Sequence, residues 1–413
     1  MWYENTDWKE QHVIELKDIQ EAHQRISNSI IRTPLVRDQL MSQTNVFLKL
    51  DNLQTTGSFK ERGAVNKLKK IKEEGKYTGV IGASAGNHAQ AVAYHGAKLG
   101  FSVSMIMPAH TPTVKANATQ KWGANIELQG ETVDQGIVVA KQISREKNLA
   151  FIHAFDDLDI IAGQGTAGLE ILDDVPEMDC VVIPVGGGGM ASGMATAIKS
   201  LRPSCKIIGV QTEKYPQVTN AFYGKSTAKI VDSGPTIADG IAVKGIGEHT
   251  IDHLKKYVDE MINVSEEEIA DAILYLLQHK KILAEGAGAA GLAAIMSGKA
   301  NIKGCKNVAT TICGGNIDMN LLNRIVEHGF LKQKRLLKVN VVISDRPGSL
   351  NMLTGLLKDL NVNILQIEHD RASTSIPYYN TGTNLLLETR GEQHYNETVE
   401  ILKKNCFRVT VSS

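Results

Sequence analysis

Excess charge and long apolar segments are both missing from this chain of 413 residues. Lysine plus arginine number 45 and aspartate plus glutamate also number 45, so the formal net charge is zero. A chain without basic excess gives no sign of a nucleic-acid partner or an anionic membrane surface. Its apolar runs are too short to span a bilayer, and its polar first residues differ from a secretion signal. We therefore expect neither nucleic acid nor membrane among its partners.

Cysteine is scarce, and its five positions form no recognisable pattern. An odd number without any CxxC spacing argues against a disulfide framework and against a zinc site. The sequence thus predicts reduced thiols in a cytoplasmic protein. Glycine, by contrast, is abundant, and several of the 37 glycines cluster where a backbone could approach a ligand.

Short apolar strands alternate with helical patterns over most of the chain, as in Val80–Ala83 and Val103–Met107. This alternation predicts an α/β fold with parallel sheets and helices on both faces. After about Gly329 the order becomes βαββαβ, which is typical of a ferredoxin-like module. We therefore predict one domain at 1–330, with a smaller subdomain at roughly 51–150, and a second domain at 331–413.

Lys60 lies at the predicted start of a helix, after a turn that ends at Gly57 and with Ser58 as a candidate N-cap. A lysine in a first turn is close to the positive end of the helix dipole. That position lowers the pKa of its amine, which suits a lysine that forms a Schiff base. Considered alone, a solvated surface lysine is the simpler interpretation.

Four consecutive glycines, 186–189, follow the buried strand predicted at Cys180–Val185 and precede a helix predicted from about Met190. Glycine amides at a helix N-terminus can hold a phosphate, although a flexible turn is the alternative. The run lacks the GxGxxG and GxxxxGK[ST] spacings of nucleotide sites. A reactive lysine with a small phosphate site indicates pyridoxal phosphate (PLP).

Five motifs, taken together and in order, resemble those of fold-type II PLP enzymes, specifically the threonine/serine dehydratases. The motifs are Ser58–Ala64, Ser84–Gln90, Ala162–Thr166, Gly186–Gly189 and Cys313–Asn316. The resemblance covers roughly 14–329 and implies a tryptophan synthase β-like fold of two parallel-sheet subdomains. The tail resembles an ACT domain, a regulatory module for small ligands, through Asp345–Leu350 and Asn363–Ile364.

The resemblance implies a role for each matching residue. Lys60 corresponds to the lysine that carries the cofactor as a Schiff base and removes the substrate α-proton, and Phe59 to a residue beside the cofactor ring. Asn87 corresponds to the residue that hydrogen-bonds the cofactor 3′-oxygen, and Cys313 to the residue that faces the pyridine nitrogen. The phosphate loop corresponds to Gly186, Gly187, Gly188, Gly189 and Met190. The substrate carboxylate loop corresponds to Ser84, Ala85, Gly86 and His88.

Some of these residues also have plainer interpretations. His88 is better read as a structural histidine than as a general base. Glu285 and Asp239 match family segments near the site, but Glu285 could equally be a helix-start acid. Cys313 could be an inert buried thiol; opposite the pyridine nitrogen, a neutral group would favour loss of a β-leaving group over transamination.

The resemblance implies an enzyme that converts L-threonine to 2-oxobutanoate and ammonia, with L-serine giving pyruvate more slowly. A serine racemase is the alternative within the fold, but Ala85 stands where racemases have a second acid/base serine. We expect no metal, because Gln211 replaces the acid expected in a cation site. A non-catalytic amino-acid sensor is the third possibility. The effector of the ACT domain and the biosynthetic or catabolic role stay open, and a homodimer or homotetramer is expected.

Overall fold

The computed structural model describes residues 13–226, 234–371, 376–406 and 408–411. The chain divides into two compact units, Met1–Asp318 and Met319–Ser413. Within the described residues, every helix falls short of the length and apolarity that a membrane crossing requires. All five cysteines are free thiols.

The first unit alternates helices and strands. Its helices are α1 (Leu16–Ile26), α2 (Lys60–Glu74), α3 (Asn87–Lys98), α4 (Thr113–Gln120), α5 (Val133–Lys147), α6 (Leu158–Asp174), α7 (Gly189–Leu201), α8 (Gln217–Phe222), α9 (Glu248–Tyr257), α10 (Glu266–Tyr275) and α11 (Gly286–Met296). Its strands are β1 (Leu35–Asp38), β2 (Asn45–Lys49), β3 (Gly79–Ala83), β4 (Ser102–Met107), β5 (Asn125–Leu128), β6 (Leu149–Ile152), β7 (Cys180–Pro184), β8 (Lys206–Thr212), β9 (Glu260–Val264) and β10 (Asn307–Thr311).

The larger sheet has the strand order β1-β2-β10-β7-β8-β9. All neighbouring strands are parallel except β1, which pairs antiparallel with β2 at one edge. Every residue of the central strands β7 and β10 is buried. Parallel strands covered by helices on both faces are buried on both sides, which explains why the sequence there lacks an alternating pattern. β7 is a continuous apolar run, whereas β10 also buries Asn307, Thr310 and Thr311.

The smaller sheet has the order β5-β4-β3-β6, with all pairs parallel. Its core contains Leu68 of α2, Val92 of α3 and Met105 of β4 on one side. On the other side Ile106 packs against Ala140 of α5. The two parallel sheets confirm the predicted α/β fold.

The second unit begins with α12 (Met319–Lys332) and continues as β11 (Leu336–Ser344), α13 (Ser349–Asp359), β12 (Asn363–Asp370), β13 (Asn380–Glu388), α14 (Glu392–Asn405) and β14 (Arg408–Val411). Its antiparallel sheet has the order β12-β13-β11-β14. Leu337 and Leu385 of the sheet pack with Leu353 of α13 and Leu402 of α14. The predicted ferredoxin-like order is confirmed, and Phe407, the predicted start of the last strand, lies outside the described residues.

Of two predictions about how helices begin, one is confirmed and one is wrong. The sequence Ser-Glu-Glu-Glu at 265–268 predicts a capping box before a helix. The structure confirms it, since Ser265 Oγ accepts from Glu268 N and Glu268 Oε2 accepts from Ser265 N. The Ser58 N-cap is wrong: the N-cap of α2 is Phe59, and no side chain caps that helix. Residues 57–59, just before α2, are held by backbone pairing with residues 313–315. Because these partners are distant in the sequence, no local pattern around Ser58 indicates the pairing.

Candidate active site

The loops that follow the three neighbouring strands β2, β10 and β7 lie at the same end of the larger sheet. β10 lies between β2 and β7, and all three run parallel, so their carboxyl ends meet. β2 leads towards Lys60, β7 ends just before Gly186, and β10 ends just before Cys313. Open α/β sheets bind ligands at the carboxyl ends of their strands.

The segment before Lys60 pairs directly with the loop after β10. Ser58 and Gly314 form an antiparallel bridge. Phe59 N donates to Cys313 O at 2.9 Å, and Gly315 N donates to Gly57 O at 2.9 Å. This pairing places Cys313 next to the start of α2, although more than half of the chain separates them.

Lys60 is the first residue of α2 and is half-buried. Nζ donates to the carbonyl oxygen of Ala154 at 2.8 Å and lies 5.1 Å from the centroid of the Phe59 ring. Burial lowers the pKa of Lys60 to about 8, while Cys313 and Glu285 act in the opposite direction. A substantial fraction of this amine is therefore neutral, and nucleophilic, at a pH where an ordinary lysine is fully charged.

The loop Ser84–Gly86 connects β3 to α3. Ser84 Oγ accepts from Gly86 N at 3.2 Å, and Gly86 is the N-cap of α3. Ala85 brings no polar group to this loop. The amides of the first turn of α3, which have no partner within the helix, form together with the Ser84 hydroxyl a donor set suited to a carboxylate.

His88 does not fit a role in proton transfer. It is buried, with Nε2 3.3 Å from the carbonyl oxygen of Ile152, which makes Nε2 the protonated nitrogen. Burial, followed by the charge of Lys60, lowers the pKa of His88 to about 3. The imidazole is therefore neutral throughout the physiological range and fastens α3 to the end of β6.

Asn87 is held on both sides of its side-chain amide. Nδ2 donates to Glu285 Oε1 at 2.7 Å, and Oδ1 accepts from Asn316 Nδ2 at 2.8 Å. Asn316 Nδ2 also donates to the carbonyl oxygen of Thr56 at 2.8 Å. The first turn of α3 is thereby tied to the loop after β10 and to the segment before Lys60.

Two glycines of the run, Gly187 and Gly189, pack against Phe155. A Cβ on Gly187 would lie 2.4 Å from the Phe155 ring, and one on Gly189 would lie 2.9 Å from the Phe155 carbonyl oxygen. Gly188 has φ of 93° and is the N-cap of α7. The run is therefore a close-packed turn. The first amides of α7 point out of it without helical partners, as a phosphate site requires.

Met190 and Cys313 are both buried in the larger core, each at or below 5% exposed. Met190 therefore offers its backbone amide to the glycine turn, while its side chain packs inside. The Cys313 thiol lies 3.6 Å from the carbonyl oxygen of Ala287. Burial raises the pKa of Cys313 well above its ordinary value, with a further contribution from Glu285, so the group is a neutral thiol.

The residues present fit pyridoxal phosphate. These residues are a lysine with a lowered pKa (Lys60), a glycine turn at a helix N-terminus, an amide held in one orientation (Asn87) and a neutral thiol (Cys313). Ala154, Phe155 and Asn316 were not among the predicted site residues. Only Asn316 had a sequence signal, because it ends the Cys313–Asn316 motif. Within the described ranges, no group of three or more potential metal-ligating side chains occurs.

Comparison with known proteins finds relatives among pyridoxal-phosphate dependent enzymes. The pattern of the family described as pyridoxal-phosphate dependent enzyme matches residues 26–314. An L-threonine ammonia-lyase of Thermotoga maritima is 44% identical over 402 residues, which cover 97% of this chain and 100% of that protein. The processed form of threonine deaminase isoform 2 from Solanum lycopersicum shares 33% identity and a TM-score of 0.70, covering 76% of this chain and 87% of that one. The serine racemase of Dictyostelium discoideum shares 35% identity, with a TM-score of 0.68 and coverage of 74% and 99%.

Proposed function

We propose that this chain, which belongs to the pyridoxal-phosphate dependent enzymes, is a cytoplasmic L-threonine ammonia-lyase. The reaction converts L-threonine to 2-oxobutanoate and ammonia, and L-serine gives pyruvate as a slower side reaction. The observation that carries the proposal is the 44% identity to a protein named L-threonine ammonia-lyase over the whole length of that protein. The arrangement of Lys60, Asn87 and the glycine turn supports it.

Lys60 is the residue that we assign to proton transfer. Its amine lies beside the carbonyl oxygen of Ala154, in surroundings that bring its pKa to about 8. A base with a pKa near the working pH is well matched to taking a proton from the substrate α-carbon. We assign the substrate carboxylate to the loop of Ser84, Ala85 and Gly86, where the first amides of α3 and one hydroxyl converge.

Pyridoxal phosphate, when bound, supplies an electron sink for the electron pair of the broken Cα–H bond. We assign its phosphate to the turn from Gly186 to Gly189 and its 3′-oxygen to Asn87. We place Cys313 opposite the pyridine nitrogen. A neutral thiol does not hold that nitrogen protonated, which favours rapid departure of the β-hydroxyl group over transamination.

The test is a product assay on the PLP-loaded protein, with L-threonine and L-serine supplied separately. We expect 2-oxobutanoate to form faster than pyruvate, with ammonia in equal amount. Lys60→Ala should lose both turnover and the absorbance of the lysine-bound cofactor. Retention of turnover by this variant would contradict the assignment of Lys60.

A serine racemase is the second candidate, because a racemase of this fold is 35% identical to the chain. Racemisation needs an acid/base group on each face of the α-carbon, and Ala85 has none. We therefore expect no D-serine from the wild-type protein. Ala85→Ser adds a hydroxyl at this position, and a chiral assay on both proteins tests whether that group is what racemisation lacks.

We further propose that 331–413 forms an ACT-type regulatory domain that binds a small-molecule effector and pairs with its counterpart in a homodimer or homotetramer. Gly348, with φ of 90° at the N-cap of α13, supplies a turn that other residues adopt with strain. Steady-state kinetics of the full chain, with each protein amino acid added in turn, test the proposal. A response to none of them, and the same monomer mass at all concentrations, would reject it.

A further inference from the structure

We propose that Glu285 is a positioning residue that fixes the Asn87 amide, so that Asn87 presents a hydrogen-bond donor, and not its oxygen, to the cofactor. The contact joins two residues 198 positions apart: Asn87 Nδ2 donates to Glu285 Oε1 at 2.7 Å. This inference rests on the cofactor site proposed above. It adds a residue that makes no assigned contact with substrate or cofactor and acts through its neighbour.

Glu285 occupies the N-cap of α11, yet its side chain makes no capping hydrogen bond to that helix. The carboxylate extends across to α3 and remains only 7% exposed. A helix-start acid that stabilises its own helix has no reason to be buried against another helix. The direction of the side chain therefore favours a function at Asn87 over a capping function at α11.

The two partners of Asn87 also fix which atom of the amide lies on which side. Glu285 Oε1 requires a donor, and Asn316 Nδ2 requires an acceptor. A flipped amide would place oxygen against oxygen and nitrogen against nitrogen, and would lose both hydrogen bonds. In the observed orientation, Asn87 Oδ1 accepts from Asn316, and one of the two Nδ2 hydrogens is donated to Glu285. The second Nδ2 hydrogen is the group that remains for the oxygen of a ligand.

Two glycines make room for this arrangement. A Cβ on Gly314 would lie 2.2 Å from Glu285 Oε1, and a Cβ on Gly57 would lie 2.7 Å from Asn316 Oδ1. The backbones that carry these glycines are paired through the bridge beside Lys60. The space for both partners of Asn87 therefore depends on the same pairing that positions the lysine.

The charged groups around Glu285 come from several elements. Burial, followed by the charge of Asp239, raises the pKa of Glu285 to about 7, although the hydrogen bond from Asn87, the charge of Lys115 and a hydrogen bond from the Asn316 backbone act in the opposite direction. Lys115 and Asp239 are themselves paired at 2.7 Å. The charge of Glu285 also acts to raise the pKa of Cys313 and that of Lys60. Protonated or not, the carboxyl keeps an acceptor lone pair, so a neutral glutamine can replace it in this role.

Four variants of the full chain test the proposal: Glu285→Leu, Glu285→Gln, Asn87→Ala and the double variant Glu285→Leu/Asn87→Ala. The readouts are the dissociation constant of pyridoxal phosphate and the absorbance maximum of the bound cofactor, neither of which requires turnover. The control is Glu268→Leu, which removes a helix-start carboxylate that does cap its helix, α10. Far-ultraviolet circular dichroism of each apoprotein reports folding.

We expect Glu285→Leu to weaken cofactor binding about five- to tenfold, the effect of one hydrogen bond. It should shift the absorbance maximum in the direction that Asn87→Ala does, and it should add little when Asn87 is already alanine. Glu285→Gln should restore both readouts, and Glu268→Leu should leave both unchanged.

An unchanged affinity and spectrum in Glu285→Leu would overturn the inference, as would full additivity with Asn87→Ala. If Glu285→Leu does not fold, Glu285→Gln decides, because it is isosteric: a spectrum like that of Asn87→Ala would overturn the inference. A wild-type protein that binds no pyridoxal phosphate would instead refute the proposed function, so the two failures are distinguishable.

Discussion

Arg62 is the centre of a buried ionic network two residues after Lys60, and it offers a quantitative test of what holds α2 in place. Its five N–H groups make five hydrogen bonds, two to Asp51, two to Glu170 and one to Thr166, at 2.7–3.1 Å. Lys49 Nζ lies 2.6 Å from Glu170 Oε2. All the ionic side chains are at most 1% exposed.

The perturbation is Arg62→Lys, which keeps the charge but provides three donors for five acceptor positions. At least two charge-assisted hydrogen bonds are lost in a site that water does not reach. With about 1.5–3 kcal/mol for each such bond, two lost bonds predict a loss of about 3–6 kcal/mol in the free energy of unfolding. The control is Arg32→Lys. Arg32 also pairs with two carboxylates, Asp173 and Asp174, but is 51% exposed, so its loss should stay below about 1 kcal/mol.

Urea unfolding followed by tryptophan fluorescence is the assay. Trp122 lies in the first unit, which also contains Arg62, so its signal reports on the unfolding of that unit. With a slope of about 3 kcal/mol/M, the midpoint should fall by about 1 M or more for Arg62→Lys, and by about 0.3 M or less for Arg32→Lys. Equal shifts in the two variants would refute the view that burial gives this network its strength.

Three further predictions concern the site. The rate at which apoprotein reacts with pyridoxal phosphate should rise with pH and level off above about 8, because the neutral amine of Lys60 is the reactive form; a rate still rising tenfold between pH 9 and 10 would contradict the lowered pKa. Cys313→Ser should retain activity within a few-fold. Cys313→Asp should slow elimination and produce transamination, detected as pyridoxamine phosphate, because a carboxylate holds the pyridine nitrogen protonated. Gly187→Ala should displace the Phe155 ring, destabilise the protein by about 1–3 kcal/mol and weaken cofactor binding, whereas Gly355→Ala, in α13 where a Cβ meets open space, should leave cofactor binding unchanged.

The sequence predicted the parts of this fold that depend on local patterns. A continuous apolar run predicted β7, and the shift to βαββαβ predicted the order of the second unit. The strands β1 and β9 and the helices α8, α9 and α12 were missed. β1 and β9 lie at the edges of the larger sheet, where strands are only half buried and their apolar pattern is weak.

The candidate site was predictable where a motif is continuous and unpredictable where distant segments meet. Lys60, Asn87 and the glycine run stand out as residues of a recognisable pattern. Phe155 and Ala154 do not, because their importance comes from what they contact, namely Gly187 and the amine of Lys60. Ser58 misled the prediction for a related reason: its position resembles a cap, but pairing with Gly314 determines where α2 begins.

The position of β10 has a consequence for how the protein is made. This strand is the last of the larger sheet to leave the ribosome, yet it inserts between β2 and β7. Until residue 311 emerges, the sheet exists as two separate parts, each with an open apolar edge. Nascent chains at this stage are prone to faulty pairing and are natural clients for chaperones. The segment before Lys60 also lacks its backbone pairing with the loop after β10 until then, so we expect cofactor binding to follow completion of the sheet.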